Sequence, residues 1–176
     1  MTRPQYKVFD DTSTTMYGSG VAQPRWLNNQ QAAVWRAYIH MNEHLYATLE
    51  DLLSRDSGLS GADYKVLVPL SETPGGVLRA RELCTEIAWD RSRLSHHVSR
   101  MEKRGLVIRE NCADDARGLM VRLTTSGRKA IQGAAPNHAE SVQQYFFDLV
   151  SDEELRTLTS VFDRVLENLQ RHHSVS

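Results

Sequence analysis

Residues 89–105 read WDRSRLSHHVSRMEKRG, and their order predicts a helix with two unlike faces. Asp90 carries the side chain of an N-cap, and Gly105 stands where a helix ends in a left-handed residue, so a helix is predicted over 91–104. Placed on a helical wheel, Leu94, Val98 and Met101 fall together and must face a core. Ser92, His96, Ser99 and Lys103 lie opposite, flanked by Arg93, Arg100 and Ser95. Glu102 sits to the side of that face rather than in its middle. Arg, Ser and His all donate hydrogen bonds to phosphates or to purine acceptors and none repels them, which suits a DNA major groove. A merely solvated face would normally mix Glu with Lys.

The flanking sequence gives this helix its setting. Arg79 to Ile87, with Leu83 and Ile87 apolar, reads as a shorter helix joined to it by a tight connection through Ala88 and Trp89, which makes a helix-turn-helix. A further short helix is predicted over 62–71, stopped by Thr73-Pro74-Gly75-Gly76. Downstream, Leu106-Val107-Ile108 is strand-like, and Leu119 to Leu123 alternates at period two. The polar stretch from Asn111 to Gly118 between them reads as a long loop, so the pair forms a β-hairpin wing. Arg117 on this wing can enter a minor groove, where narrow segments concentrate negative potential, and Asp115 two residues away can orient its guanidinium. The plainer alternative is a surface ion pair of little energetic consequence.

Both ends of the chain are striped for helix packing. Leu27, Val34, Tyr38, Met41, Leu45, Leu49 and Leu52 recur at helical spacing from Trp26 to Leu53, and Trp35, Ile39 and Tyr46 widen the stripe. Thr124 or Thr125 caps another helix, which Pro136 should bend or interrupt. Ser151-Asp152-Glu153-Glu154 is a capping box opening a last helix with Leu155, Leu158, Phe162, Val165 and Leu169 on one side. The expected layout is a flexible, polar tail over 1–25, a dimerisation helix over 26–57, a winged helix-turn-helix lobe over 60–123 and dimerisation helices over 124–170. The fold class is mainly α with a small β-hairpin wing.

Composition sets the outer bounds. The 176 residues are 40% hydrophobic, enough for one domain with its own core. The net charge of −1 is unevenly spread: from Arg79 to Lys129 twelve Lys and Arg stand against seven Asp and Glu, and the remainder has nine against fifteen. A positive surface on one part of the molecule is a place to hold phosphates. No apolar run approaches the ~18 residues of a membrane span, and no secretory signal opens the chain, so no membrane association and a cytoplasmic location are expected. Cys84 and Cys112 are too few for a disulfide framework and lack metal or redox spacing. Cys84 reads as a small buried residue, and redox control is expected to be absent or minor.

Taken together, WDRSRLSHHVSRMEKRG, the following LVIRE, then DDARG and LMVRLTTSG resemble the multiple-antibiotic-resistance regulator (MarR) family of bacterial winged helix-turn-helix transcription regulators, over about Trp26 to Leu169. The resemblance implies a homodimer whose terminal helices intertwine and whose two recognition helices enter successive major grooves of a palindromic operator. It places Arg91, Ser92, Arg93, Ser95, His96, Ser99 and Arg100 on the DNA-reading helix, matches Asp115 and Arg117 to the family's Asp-x-Arg wing element, and matches Gly105 to the glycine ending the recognition helix. It further implies a ligand-responsive repressor. The tail before the first helix is longer than the family usually shows.

Members of that family commonly bind small aromatic acids, and Trp35, Tyr38, His44, Tyr46 and Tyr64 are candidates to line a site for an aromatic or phenolic effector, with core or dimer interface as the competing role. His40 and His44, one turn apart, have a spacing used by metal ligands, yet no Cys or carboxylate obviously converges on them. No metal and no cofactor are expected. A winged-helix protein-interaction module that has lost DNA binding is the alternative, but it should carry carboxylates or apolar groups on the recognition face. An enzyme is set aside because no catalytic pairing, nucleophile elbow or phosphate loop is present.

Overall fold

The computed structural model describes residues 25–112 and 115–173, without the side chains of Asp115, Ala116, Arg117, His172 and His173. All but the last residue of the expected flexible tail over 1–25 lies outside the described residues. The described residues up to Ala47 and those from Thr48 onward form two compact units, with the boundary inside the first helix.

That helix, α1 (Asn29–Ser57), begins three residues later than expected. The amide of Asn28 donates to Gln31 Oε1 at 3.0 Å and that of Gln31 to Asn28 Oδ1 at 2.8 Å. This reciprocal cap starts the helix after Asn28 and leaves Trp26 and Leu27 outside it. At the other end α1 outruns the predicted Leu53 by one turn and stops at Gly58, whose φ of 69° is left-handed. In the first unit Trp35, Tyr38, Met41 and Tyr46 are exposed. Trp35 and Tyr38 stack with centroids 5.7 Å apart, and His40 and His44 stack at 4.3 Å.

The second unit holds the remaining elements: α2 (Gly61–Glu72), β1 (Val77–Arg79), α3 (Ala80–Glu86), α4 (Arg91–Lys103), β2 (Val107–Cys112), β3 (Asp115–Leu123), α5 (Thr125–Tyr145) and α6 (Asp152–His173). Its core is formed by Val66, Leu67 and Leu70 of α2, Leu83 of α3, Leu94, Val98 and Met101 of α4, Val107 and Val121 of the sheet, and Ile131 of α5. The three α4 residues are those the helical wheel turned inward. The α3–α4 turn is closed by Ala88 at φ 53°, a conformation usually left to glycine.

Three expectations are corrected. The wing is a strand pair almost to its tip: β2 and β3 pair antiparallel from Val107↔Leu123 outward, with a register shift at Asn111/Cys112, so most of the stretch read as a loop from Asn111 to Gly118 is strand. Polar residues on an exposed hairpin hide the period-two signal, while their backbones still pair. A third strand, β1, lies on the other side of β3, giving the order β1-β3-β2; three residues are too few to show alternation. Finally, α5 runs through Pro136 as one helix, so the proline does not interrupt it. A proline inside a helix costs about 3 kcal/mol, which burial of Ile131 and Ala134 in the core offsets.

Candidate nucleic-acid interface

Helix α4 is built from its caps inward. The Arg93 amide donates to Asp90 Oδ1 at 2.8 Å, fixing the first turn, and Gly105, at φ 70°, ends α4. Between them Arg91, Ser92, Arg93, Ser95, His96 and Arg100 are exposed and Ser99 is half-buried. On a helical wheel Ser92, Arg93, His96, Ser99 and Arg100 lie away from Leu94, Val98 and Met101, Ser95 lies to the side, and Arg91 falls nearer the core side at the exposed first turn. Among the described side chains of that surface the carboxylate of Glu102 is engaged by Arg109.

Two of the arginines are anchored. The Arg93 guanidinium lies 4.3 Å from the centre of the Trp89 ring, a cation–π arrangement. Arg100 Nη2 donates to His97 Nδ1 at 2.9 Å. His97 is itself buried, although sequence reasoning did not single it out. Its Nε2 lies 3.1 Å from Asp63 Oδ1, and its ring meets the Trp89 ring edge-on at 5.4 Å. Asp63 also accepts from Arg104 Nη1 at 2.6 Å and caps α2 through the Ser60 amide at 3.0 Å. Burial alone would raise the Asp63 carboxyl, but the hydrogen bonds from Arg104 and Ser60 outweigh it and hold the group below the usual carboxylate range. Burial, together with the positive charges of Arg100 and Arg104, holds the His97 imidazole below the ordinary histidine range against the upward pull of the Asp63 carboxylate. The ring is neutral beside an aspartate that Arg104 already balances. One readable signal preceded this cluster: Ser60-x-x-Asp63 before an apolar run has the form of a capping box.

The wing is tied to the helix and across itself. Glu102 accepts from the Arg109 amide and side chain, and Arg122 Nε donates to Glu110 Oε1 at 2.8 Å. Asp115 and Arg117 fall on the first residues of β3, next to the tip; their side chains lie outside the described residues.

The effector candidates are divided. Trp35, Tyr38, His44 and Tyr46 belong to the first unit, whereas Tyr64 belongs to the second, half-buried with its ring 4.4 Å from that of His138. In the second unit a cavity of about 10 Å³ is lined by Leu53, Asn137 and His138 among others, room for about one water molecule. An open groove of about 500 Å³ is lined by Asp51, Arg55 and Tyr145 among others. Neither is lined by the five candidates. Cys84 is half-buried and burial raises its thiol. No cluster of three or more metal-ligating side chains occurs among the described residues, and no helix among them is long and apolar enough to cross a membrane.

A helix-turn-helix whose second helix shows an Arg-, Ser- and His-bearing face, followed by a three-stranded wing, defines a winged-helix DNA-binding protein. The MarR family model matches residues 57–118. The transcriptional regulator HosA of Escherichia coli O127:H6 is 33% identical over 96 residues, covering 54% of this chain and 69% of HosA. The crystal structure of AbsC, a MarR family regulator from Streptomyces coelicolor, superposes with a TM-score of 0.80 at 38% identity over 84% of this chain and 99% of AbsC. A second MarR family regulator of that organism, solved in complex with DNA, gives 0.81 at 40% identity over 84% and 92% of the two chains. The chain belongs to the MarR family: it is a DNA-binding transcription regulator and not an enzyme.

Proposed function

We propose that the protein acts as a homodimer on a pseudo-palindromic operator, as a ligand-responsive repressor. The observation that carries the homodimer is α6. Over its 22 residues Leu155, Phe162, Val165, Leu166 and Leu169 line up yet are 40–54% exposed in the single chain. A solvated helix has no need of such a stripe, and burying it against a second copy removes the apolar area from water. In this reading residues 26–57 and 124–170 form the dimer, and the lobe over 60–123 delivers α4 to the major groove. There Arg91, Ser92, Arg93, Ser95, His96, Ser99 and Arg100 face DNA, with Asp115 and Arg117 at the flanking minor groove. The DNA complex of the Streptomyces relative supports this assignment.

The test is deletion of everything after Val150. The truncated chain should sediment as a monomer and lose tight operator binding, whereas a truncated dimer would overturn the dimer assignment. Footprints of the intact protein should show half-site centres about 10 base pairs apart. Binding should weaken with salt at a log–log slope of about −5 or steeper. The exposed aromatic side chains of Trp35, Tyr38 and Tyr46 support a small aromatic or phenolic effector; screening aromatic acids for release of bound operator tests it.

A further inference from the structure

We propose that His97 is a positioning residue for DNA binding: its neutral ring, oriented by Asp63, holds Arg100 directly and Arg93 through Trp89 on the outer side of α4. The inference rests on the reading of that side as the DNA face.

Hydrogen-bond chemistry fixes the state of the ring. An ionised carboxylate only accepts, so Nε2, 3.1 Å from Asp63 Oδ1, carries the ring proton. A guanidinium only donates, so Nδ1, 2.9 Å from Arg100 Nη2, is a bare acceptor. The arrangement admits one tautomer. A second proton on the ring would occupy the lone pair Arg100 uses and set two like charges against each other. The charged groups facing the ring are Asp63 from α2, Arg100 from α4 and Arg104 at its C-cap. From the turn before α4 comes Trp89, which touches the ring edge-on and has the Arg93 guanidinium over its face. One buried ring thus contacts both supports of the outer-face arginines. A long side chain already held in place loses less freedom on binding DNA. Burial keeps the ring below the ordinary histidine range, so this neutral state prevails at neutral pH.

Two near-isosteric variants separate positioning from a purely structural role. His97→Asn keeps an acceptor near the place of Nδ1 and loses the donor to Asp63; His97→Gln keeps a donor near the place of Nε2 and loses the acceptor for Arg100. The probe is a duplex selected from randomised sequences by the wild-type protein. We expect His97→Gln to bind it about tenfold more weakly, Arg100→Ala to lose as much, the double variant to lose no more, and His97→Asn to stay within about threefold. On acidification from pH 7.5 to 5.5, wild type should lose affinity relative to His97→Asn, which cannot take up that proton. Equal losses in the two His97 variants, or full affinity in His97→Gln, would overturn the proposal. If Arg100→Ala binds normally while Arg93→Ala and His96→Ala do not, the DNA face stands and the positioning role falls. Should a variant fail to fold, nitrogen-15 NMR of the wild-type imidazole decides: a bare Nδ1 with protonated Nε2 is required, and the opposite tautomer or a doubly protonated ring at pH 7.5 refutes it.

Discussion

Glu102 of α4 holds Arg109 of β2 by three hydrogen bonds, from the Arg109 amide at 3.0 Å, from Nε at 3.0 Å and from Nη2 at 2.7 Å. The lone acidic side chain of α4 is therefore occupied by the wing. Its carboxyl is held low by the side chain and then the backbone of Arg109. Both partners are about one-third exposed, so solvent screening limits the net stabilisation. Glu102→Ala should cost about 0.5–1 kcal/mol of stability in denaturant titrations. Its more specific effect should be faster hydrogen exchange at the Arg109 amide and its β2 neighbours, with a coupling to Arg109→Ala visible in a double-mutant cycle.

Acid should destabilise the fold in two stages. Burial depresses His97 and also His138, whose Nδ1 is buried without a hydrogen-bond partner. In the unfolded chain both titrate near pH 6.5. Below that value the unfolded state takes up protons that the folded state refuses. This stability is therefore fully present above about pH 6.5 and is lost as pH falls through the depressed folded values. Asp63, held below its ordinary 3.8, adds a second loss at lower pH. Urea midpoints measured from pH 7.5 to 4 should fall below pH 6.5, and less so in His138→Leu. A midpoint flat down to pH 4 would contradict the buried neutral imidazoles.

Two helical glycines should respond in opposite senses to alanine. A Cβ on Gly127, in the first turn of α5, would meet the Leu106 carbonyl group far inside contact distance, and Leu123 as well. Backbone cannot step aside cheaply, so Gly127→Ala should cost about 3 kcal/mol or more. A Cβ on Gly133 meets nothing within 4 Å, so Gly133→Ala should stabilise by about 0.4–1 kcal/mol. Thermal unfolding of the two variants checks both signs.

What was legible in the sequence was whatever is decided locally. Asp90 and Gly105 bound α4 because caps act within one turn, and Ser151 with Glu154 opens α6 for the same reason, the Ser151 amide lying 2.9 Å from Glu154 Oε2. Of the two threonines offered as a cap for α5, the structure uses Thr124, which accepts from the Gly127 amide at 2.9 Å. The inward face of α4 followed from helical periodicity alone. Contacts across sequence were not legible: His97 and Asp63 are 34 residues apart and Arg104 and Asp63 are 41 apart, and nothing in either segment names the other. His97 stood unremarked beside His96 because a histidine on a wheel does not show whether its partners lie in solvent or in the core. Pro136 does not interrupt α5 because packing across sequence overrides intrinsic helix preference.

The recognition helix and the wing should fail differently when mutated. Arg93 and His96 lie on the outer side of α4, where side chains reach base edges in a major groove, so replacing either with Ala should cost about 1–3 kcal/mol of binding and relax preference at particular operator positions. Arg93→Ala also leaves the Trp89 face uncovered, so its loss should exceed that of Arg93→Lys, which retains the charge. Arg117 stands beside the wing tip on β3; in the proposed reading it meets backbone and minor groove, so Arg117→Ala should weaken binding to nearly every sequence and shift preference mainly in A·T content at the flanks. In the same reading Asp115 orients that guanidinium, so Asp115→Ala should mimic Arg117→Ala in weaker form, with the double variant less than additive. Binding selections on randomised duplexes, run side by side for the wild type and each variant, read both quantities at once. Altered central bases in Arg117→Ala, with none altered in Arg93→Ala and His96→Ala, would show the two elements to have exchanged roles.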